Sequence, residues 1–313
     1  MDIANKKILV TGGSGFVGSY VIKELIKNHV NPKNISAPRS KEYDLRKDVN
    51  CRKVVKNQDI IIHLAGNVGG ISKNQRLPAT LLYDNLLMGI HLIDAATKSK
   101  VEKIVIIGTI CAYPKYVPVP FKEEDLWSGF PEKTNAPYGL AKKMLLVALQ
   151  SYQQEHGLKG IYLLPVNIYG PGDSFDPEIS HVIPALIHKI AEAIRQNKKY
   201  IEVWGDGTPT REFLYVEDAA RAFVMATKKY EKTDPVNIGS GKEISIKDLV
   251  RLIARLMKYA GEIVFDTTKP NGQPRRLLDV SKAYNEFQFR AKIPFSIGLE
   301  KTIKWYLHNK KRL

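Results

Sequence analysis

The first half of the chain alternates short apolar runs with longer segments whose apolar residues recur near helical spacing. The predicted elements are, in chain order, a strand at 7–11, a helix at 16–28, a strand at 59–64, a helix at 80–98, a strand at 103–107, a helix at 138–155 and a strand at 160–164. Apolar strands that alternate with amphipathic helices are typical of βαβ units around a parallel sheet. The pattern therefore predicts an α/β fold.

The regular alternation is interrupted after Pro165. Glycines and prolines are frequent between Tyr169 and Arg211. Later segments predict a strand plus helix at 213–229 and separate helices at 245–259 and 296–309. We expect a doubly wound parallel sheet of the Rossmann type with a smaller α/β substrate-binding domain. The expected domains are 1–168 together with 213–238, and 169–212 together with 239–313.

The charge balance is strongly basic, with 48 Lys plus Arg against 32 Asp plus Glu and a formal net charge of +16. Such an excess is compatible with nucleic acid, anionic lipid, anionic substrates or a lysine-rich surface. The cations stand in twos and threes, such as Lys142-Lys143 and Lys310-Lys311-Arg312, without a long basic block or interleaved aromatic residues. A solvated surface is therefore the favoured interpretation, with nucleic-acid binding as the lesser alternative.

The sequence carries no sign of membrane crossing or export. No apolar run approaches the roughly 20 residues that span a bilayer. The first apolar stretch, Ile8-Leu9-Val10, is too short for a signal-peptide core. Only Cys51 and Cys111 are present, too few for a disulfide framework. We expect a cytoplasmic protein without a membrane partner.

A glycine-rich turn lies directly after the first predicted strand and opens the first helix. Glycine there permits a tight turn, the close approach of a pyrophosphate and the packing of helix on strand, while the helix amino terminus supplies N–H donors. A lone glycine pattern is weak evidence, but this one has the strand and the helix that the motif requires. We expect dinucleotide binding rather than a merely structural turn. The residues assigned to the cofactor are Gly12, Gly13, Ser14, Gly15, Phe16, Val17 and Gly18.

The end of the second predicted strand favours NADP over NAD. An acidic residue at this point would bind the ribose hydroxyls of NAD, whereas arginine accommodates the 2′-phosphate of NADP. The stretch that begins at Ile35 carries Arg39 and Lys41 and no carboxylate at the strand end. We therefore expect NADPH, with Arg39 at its phosphate. Asp44 stands close by and is expected to face the adenine side or to cap the next helix.

Tyr138 and Lys142 stand four residues apart on a predicted helix, so that both side chains lie on one face. A phenol with an ordinary pKa of roughly 10 is a poor proton donor at neutral pH, and a neighbouring ammonium favours its phenolate. Lys142 can also bind the nicotinamide ribose. Thr109 stands at the end of an earlier strand, where it would hydrogen-bond the substrate oxygen. Taken alone, such a Tyr/Lys pair often occurs by chance, as a buried tyrosine beside a surface lysine.

Longer motifs extend across nearly the whole chain. They lie at 67–71, 108–114, 135–142, 167–171, 180–186, 204–214 and 269–276. Two are especially discriminating, Ser180-His181-Val182-Ile183-Pro184-Ala185-Leu186 and Gly207-Thr208-Pro209-Thr210-Arg211-Glu212-Phe213. On these motifs the chain resembles the extended short-chain dehydrogenase/reductase family, and within it the members that act on GDP-4-keto-sugars.

The resemblance implies an NADPH-dependent 3,5-epimerase/4-reductase that converts GDP-4-keto-6-deoxy-D-mannose to GDP-L-fucose. The 4-keto group acidifies the hydrogens at carbons 3 and 5, so that a base and an acid can invert both centres before reduction at carbon 4. Carried over by position, Cys111 is the base, His181 the acid and Tyr138 the proton donor of the reduction. A thiol near positive charge and a histidine suit these roles. Without the resemblance, Cys111 would be a small buried hydrophobe and His181 a helix-start residue.

The same resemblance implies further contacts and a homodimer built on the helices 80–98 and 138–155. The additional cofactor contacts that it implies are Leu64, Ala65, Lys142, Pro165, Asn167, Ile168 and His181. The substrate contacts that it implies are Lys189, Trp204, Arg211 and Asn271. No metal is expected.

Three departures from the family pattern bear on the substrate. Thr109 stands where serine is usual, which is a mild change because the hydroxyl is kept. Lys189 in place of arginine loses the planar fork that binds phosphate oxygens in pairs. Asn271 in place of aspartate removes a carboxylate near the expected guanosine or sugar site. A relative that acts on another GDP-4-keto-sugar, such as a heptose, therefore stays open.

Other functions compete with this one. A nucleotide-sugar 4-epimerase or 4,6-dehydratase shares the fold and the Tyr/Lys pair. A dehydratase would carry Asp-Glu where Ile110-Cys111 stands, and a 4-epimerase needs no additional acid and base. A non-catalytic dinucleotide sensor belongs to a different class of function, but such a sensor would not need Thr109, Tyr138 and Lys142 together.

Overall fold

The computed structural model describes residues 1–176, 179–269 and 271–310. Pro270 of the last motif and Lys311 and Arg312 of the terminal basic group lie outside the described residues. The helices are α1 (Phe16–Lys27), α2 (Asp48–Val55), α3 (Ile71–Arg76), α4 (Pro78–Lys98), α5 (Ala136–His156), α6 (Val182–Arg195), α7 (Val216–Lys229), α8 (Ile246–Leu256), α9 (Ser281–Phe287) and α10 (Phe295–Asn309). The strands are β1 (Ile8–Thr11), β2 (Ile35–Ser36), β3 (Ile60–His63), β4 (Lys103–Ile107), β5 (Gly160–Pro165), β6 (Asn167–Tyr169), β7 (Tyr200–Trp204), β8 (Thr210–Tyr215), β9 (Val236–Ile238), β10 (Glu243–Ser245) and β11 (Glu262–Asp266).

A six-stranded sheet forms the centre of the amino-terminal part. Its strand order is β2-β1-β3-β4-β5-β9, and all of its strand pairs are parallel. β1, β3 and β4 are buried along their whole length, which explains their continuous runs of isoleucine, leucine and valine. The predicted α/β class with a doubly wound parallel sheet is confirmed.

The order in which the strands are added creates a crevice at one edge of the sheet. β1 pairs with β2 on one side and with β3 on the other, so the connections leave β1 in opposite directions. In open α/β sheets, ligands bind outside the carboxyl ends of the strands at such a point. The glycine-rich turn follows β1, Leu64 and Ala65 follow β3, and Thr109 follows β4. The topology therefore brings these residues to the same edge.

Helices cover the sheet in packed groups. α4 packs on α5 and α2, and α1 packs on α7. The chain leaves the sheet after β5 and returns with β9, which pairs with β5. The strand β8, just before α7, joins a separate three-stranded sheet of order β10-β8-β6. The return of the chain to the large sheet is therefore made by α7 and β9.

The later part of the chain has its own hydrophobic core. The three-stranded sheet and a parallel pair, β7 with β11, share a cluster of buried side chains with α6, α8 and α10. The periodicity did not predict β6 or β7, because short strands between glycines and prolines leave too few positions for a pattern. No helix among the described residues combines the length and the apolar character needed to cross a membrane.

Candidate active site

One large cavity follows the carboxyl edge of the six-stranded sheet. Its volume is about 1360 Å³, and α6, β7 and β8 line it opposite the sheet. Every site residue predicted from the sequence lines this cavity except Gly13 and Arg39. Residues that are far apart in the chain, such as Thr109, His181 and Asn271, therefore share one space.

The glycine-rich turn has the shape that a pyrophosphate requires. A Cβ on Gly18 would lie 2.1 Å from the Gly12 carbonyl oxygen, and a Cβ on Gly12 would lie 2.8 Å from the Ala65 nitrogen. Gly12 also has a φ of +72°, which glycine adopts without strain. Helix α1 starts at Phe16 without a side-chain cap, so its first N–H groups are available to an anion. These features fit a dinucleotide phosphate.

Gly13 has a packing role instead of a cavity-lining one. A Cβ at this position would lie 2.8 Å from the Ala37 side chain and 2.9 Å from the Val10 carbonyl oxygen. The close packing of the turn against the neighbouring strands therefore requires glycine at this point. The sequence pattern could not separate this role from direct contact with phosphate, because both exclude a side chain.

Arg39 is exposed and does not line the cavity. β2 ends at Ser36, and the Arg39 carbonyl then accepts the N–H groups of Glu42 and Tyr43 in a turn. This turn presents Ser40 and Lys41 to the cavity instead. The register after a two-residue strand is set by this turn, which periodicity alone does not reveal.

Asp44 lines the cavity and is held by Arg46. The Asp44 carboxylate accepts Arg46 Nε at 2.9 Å, and Arg46 also reaches Asp84 at 3.2 Å. The hydrogen bond with Arg46 lowers the pKa of Asp44. Helix α2 starts after Lys47 without a side-chain cap, so of the two alternatives for Asp44 the capping of this helix is wrong.

Thr109, Tyr138 and Lys142 form one group, in which Thr109 and Lys142 are buried and Tyr138 is partly buried. Thr109 follows β4, and its hydroxyl is a hydrogen-bond partner of the Tyr138 hydroxyl near the start of α5. Burial raises the pKa of Tyr138, although the bond with Thr109 acts in the opposite direction. Burial lowers the pKa of Lys142 to about 8. The lysine therefore carries its charge at neutral pH although its side chain is buried.

Cys111 and His181 enter the same cavity from different elements. Cys111 lies in a short helical turn, Ile110–Ala112, and its N–H donates to the Thr109 hydroxyl at 3.2 Å. His181 lies at the start of α6 and faces the cavity. Desolvation by the surrounding walls lowers the pKa of His181, which favours the neutral imidazole in the absence of a ligand.

The predicted substrate residues lie on the carboxy-terminal wall. Lys189 donates to the Glu202 carbonyl at 2.7 Å, and Asn271 Oδ1 accepts the Asp206 N–H at 2.9 Å. Trp204 is 59% exposed and presents an open aromatic surface. The pKa of Arg211 is lowered to about 10, mainly by burial and to a lesser extent by repulsion from Arg276.

Several polar residues to which the sequence analysis gave no role also line the cavity. They are Glu132, Asp173, Gln273 and Arg276. Asp173 is 9% exposed and its Oδ2 has no hydrogen-bond partner among the described residues, and burial raises its pKa to about 7. Arg276 stands beside Arg275 in the sequence, and only burial distinguishes the two. Among the described residues, no cluster of histidine, cysteine and acidic side chains could hold a metal ion.

The fold and the site define a class of protein. A phosphate-binding turn at the crevice of a doubly wound sheet, beside a Tyr/Lys pair and a hydroxyl group, is the arrangement of a dinucleotide-dependent oxidoreductase or epimerase. The family model for the NAD dependent epimerase/dehydratase family matches residues 8–239. The chain belongs to this family, and the resemblance drawn from its motifs is confirmed.

Named relatives match over nearly the whole chain. GDP-L-fucose synthase of Sinorhizobium fredii is 40% identical over 306 residues, which are 97% of this chain and 96% of the relative. A GDP-L-fucose synthetase structure from Naegleria fowleri, bound to NADP, is 29% identical with a TM-score of 0.86, covering 97% of this chain and 94% of that one. A GDP-6-OMe-4-keto-L-xylo-heptose reductase from C. jejuni has a TM-score of 0.91 at 25% identity, covering 98% and 99%.

Proposed function

We propose that this protein is an NADPH-dependent 3,5-epimerase/4-reductase that converts GDP-4-keto-6-deoxy-D-mannose to GDP-L-fucose. The observation that carries the proposal is the presence of Cys111 and His181 in the same cavity as Thr109, Tyr138 and Lys142. A simple 4-epimerase or dehydrogenase needs the last three groups alone. The additional thiol and imidazole supply the acid and base that epimerisation requires. Relatives named GDP-L-fucose synthase support the same function.

In the epimerisation, Cys111 removes the proton from carbon 3 or carbon 5 and leaves an enolate of the 4-keto sugar. His181 returns a proton to the opposite face, so that the centre is inverted. The neutral imidazole favoured without ligand must gain a proton for this role. The negative charge of a bound nucleotide diphosphate favours that protonation. Thr109 hydrogen-bonds the keto oxygen, where the enolate charge accumulates.

In the reduction, Tyr138 donates a proton to the oxygen at carbon 4. NADPH, when bound, supplies the hydride for this carbon. Lys142 lies one helical turn from Tyr138, and its positive charge stabilises the phenolate left after proton transfer. The same ammonium group is suited to hydrogen-bond the nicotinamide ribose. One tyrosine and one lysine therefore serve the second step, while Cys111 and His181 serve the first.

The cofactor is held by the glycine-rich turn and the segment after β2. Ser40 and Lys41 line the cavity there, and a lysine ammonium is a suitable partner for the 2′-phosphate. Arg39, which was expected at that phosphate, is exposed beside these residues and does not line the cavity. The NADP-bound Naegleria fowleri relative supports NADPH as the cofactor.

The substrate diphosphate and nucleoside are bound by the carboxy-terminal wall. Arg211 offers a guanidinium for the diphosphate, and Lys189 adds a second positive charge. Trp204 offers a flat surface for a sugar or a base. Asn271 holds the loop at Asp206 and so shapes this end of the cavity. We therefore propose a cofactor-binding domain at 1–168 with 213–238, and a substrate-binding domain in the remainder.

The decisive experiment supplies GDP-4-keto-6-deoxy-D-mannose and NADPH in deuterated water. We expect deuterium at carbons 3 and 5 of the product and stoichiometric oxidation of the cofactor. Omission of NADPH should leave the exchange and abolish the reduction, which separates the two steps. Absence of both exchange and cofactor oxidation would overturn the assignment.

A second candidate is a related reaction on a GDP-4-keto-heptose. The relative named GDP-6-OMe-4-keto-L-xylo-heptose reductase has a TM-score of 0.91 with this chain and favours this alternative. Lys189 and Asn271, where the family pattern differs, lie on the wall that would select the sugar. Competition between the 6-deoxyhexose and heptose substrates, measured as the ratio of kcat/KM, decides between the two.

We also propose that the protein is a cytoplasmic homodimer. Both cysteines are free, in keeping with a reducing compartment. The paired helices α4 and α5 expose apolar side chains that a second copy could cover. These side chains are Leu82, Tyr83, Met144 and Val147.

A further inference from the structure

The segment after β11 brings a buried arginine to the thiol of Cys111. Arg276 is 8% exposed, and its Nη1 lies 3.6 Å from Cys111 Sγ. The adjacent Arg275 points outward and pairs with Glu243, with half of its side chain exposed. Arg276 alone of this pair therefore belongs to the cavity.

The guanidinium of Arg276 is held in place by a buried glutamine. Arg276 Nε donates to Gln273 Oε1 at 2.8 Å, and Gln273 Nε2 donates to the Lys115 carbonyl at 3.1 Å. Gln273 is 5% exposed, so both ends of its amide are used inside the protein. This arrangement limits the rotation of the guanidinium and keeps Nη1 directed at the sulfur.

The backbone of the same segment is also tied down. The Arg276 carbonyl accepts the Glu212 N–H at 3.1 Å, and the buried Glu212 carboxylate accepts the Leu278 N–H at 2.8 Å. The carboxylate also accepts the Ser240 and Gly241 N–H groups. The position of Arg276 is therefore set by β8 as well as by its own side chain.

Among the described residues, the Arg276 guanidinium contacts Gln273 and Cys111 and forms no ion pair with a carboxylate. The groups that interact electrostatically with Cys111 are Tyr138 from α5 and Arg211 from β8, in addition to the contact with Arg276. Arg276 and Arg211 repel each other, and the carboxylate of Glu132 acts on Arg211. A buried guanidinium, that of Arg276, beside a partly buried one, that of Arg211, is costly unless an anion lies close to them. A thiolate at Cys111 is such an anion.

We propose that Arg276, fixed by Gln273, is a positioning residue that stabilises the thiolate of Cys111 and so prepares it as the base of the epimerisation. This inference rests on the proposed function. In the step, a sulfur lone pair takes the proton from carbon 3 or 5 and forms the S–H bond. The electrons of the C–H bond move into the enolate, and the guanidinium keeps its protons throughout.

The first test measures the reactivity of the thiol without any substrate. The chain has two cysteines, and Cys51 is fully buried with its pKa raised to about 12, so a small alkylating reagent such as iodoacetamide reports on Cys111. In Arg276→Met, alkylation at neutral pH should slow by about tenfold, the size expected for losing one charge-assisted hydrogen bond. The rates should converge at high pH, where the thiol ionises without help. Arg276→Lys is the matched control that keeps a positive charge, and it should retain most of the reactivity.

An unchanged pH profile of alkylation in Arg276→Met would overturn the inference. A variant that merely unfolds is recognised by the alkylation of Cys51, which stays protected in the folded protein. Gln273→Leu keeps the charge of Arg276 but removes its Nε acceptor, so its profile should lie between those of the wild type and Arg276→Met.

The second test measures deuterium exchange at carbons 3 and 5 in the same variants. Exchange should fall in Arg276→Met by a factor similar to the loss of alkylation and recover in Arg276→Lys. A normal exchange rate together with slow alkylation would overturn the role of Arg276 in preparing the base. Failure of the proposed function gives a different result, since the wild type itself would then show no exchange.

Discussion

Cys111 and Tyr138 lie in one pocket but are assigned to different proton transfers. The short turn after β4 carries the thiol, and the first turn of α5 carries the phenol. Thr109 contacts both, through the Cys111 N–H and the Tyr138 hydroxyl. Because the two groups stand on different elements and are assigned to different steps, substitutions should separate the two half-reactions.

Cys111→Ser should suppress deuterium exchange by several orders of magnitude, because a serine hydroxyl is a far weaker base than a thiolate. Tyr138→Phe should leave exchange largely intact and reduce the rate of NADPH oxidation by about 10²- to 10⁴-fold, the usual contribution of a positioned acid. Exchange followed by mass spectrometry and oxidation followed by absorbance give the two rates. An unchanged reduction rate in Tyr138→Phe would contradict the role given to the phenol.

The lowered pKa of Lys142 predicts a pH dependence of the reduction. Its pKa is lowered to about 8 by burial, so the ammonium that assists Tyr138 is lost as the pH rises through this value. We expect the rate of NADPH oxidation at saturating substrate to fall above pH 8. Lys142→Arg, which stays charged, should be slower overall but should lack this alkaline decrease. A wild-type rate that stays constant well above pH 8 would show that Lys142 does not titrate in the reaction.

The lowered pKa of Lys142 affects stability in the opposite direction: activity should fall as the pH rises, whereas stability should increase. The unfolded chain holds the Lys142 proton up to its ordinary pKa of 10.5, whereas the folded protein releases it near 8. Between these values the unfolded state binds more protons, so the contribution of Lys142 to stability increases with pH. At neutral pH the buried ammonium of Lys142 therefore destabilises the folded state, although the proposed reduction uses its charge.

At the scale of elements, long periodic segments were predictable and short ones were not. Helices α4 and α5 and strand β4 were located from periodicity to within a few residues. Strands β6 and β9, by contrast, are three residues long and are defined by their partners in the sheets. A pattern of period two cannot be established in so few positions.

The glycine-rich turn gives a prediction at this scale. Gly18→Ala places a Cβ 2.1 Å from the Gly12 carbonyl oxygen, so α1 must move away from the turn. We expect NADPH affinity to fall by at least about tenfold, since the helix amino terminus and the turn bind phosphate together. Titration by cofactor fluorescence measures this. Ser19→Ala, the next residue on the same helix, is the control and should bind normally; equal affinities would contradict the packing argument.

At the scale of the whole molecule, the dimer is the main expectation. Leu82 on α4 is 40% exposed and Val147 on α5 is 39% exposed, and the two helices pack on each other. The double variant Leu82→Glu/Val147→Glu would bury charges in an interface and should sediment as a monomer. Ile26→Glu on α1, at a residue that is 42% exposed, is the control and should stay dimeric. A monomeric wild type would contradict the proposal directly.

The net charge of +16 divides into a small functional part and a large surface part. The cations that line the cavity beside the proposed anionic ligands include Lys41, Lys142, Lys189, Arg211 and Arg276. Many others form ion pairs at the surface, as Lys98 does with Asp94. Surface pairs of this kind contribute little to stability and are typical of a solvated surface.

The sequence by itself determined the α/β class, the phosphate turn, the Tyr/Lys pair and the family, because each depends on local spacing or on an extended motif. Cys111 and His181 were assigned from the motifs, and the roles of the predicted site residues stay predictions. The tertiary structure decided which residues share the cavity. It excluded Arg39 and Gly13 from the lining and brought in Arg276 and Gln273.

The physical reason for this division is the difference between local and distant contacts. The turn after β2 that directs Arg39 outward depends on hydrogen bonds made after folding. Arg275 and Arg276 are the same residue type and are adjacent in the chain. Contacts with Gln273 and Glu212 bury Arg276, whereas Arg275 stays exposed and pairs with Glu243. Spacing along the chain reveals which side chains share a helix face, whereas burial and charge environment arise only when distant segments meet.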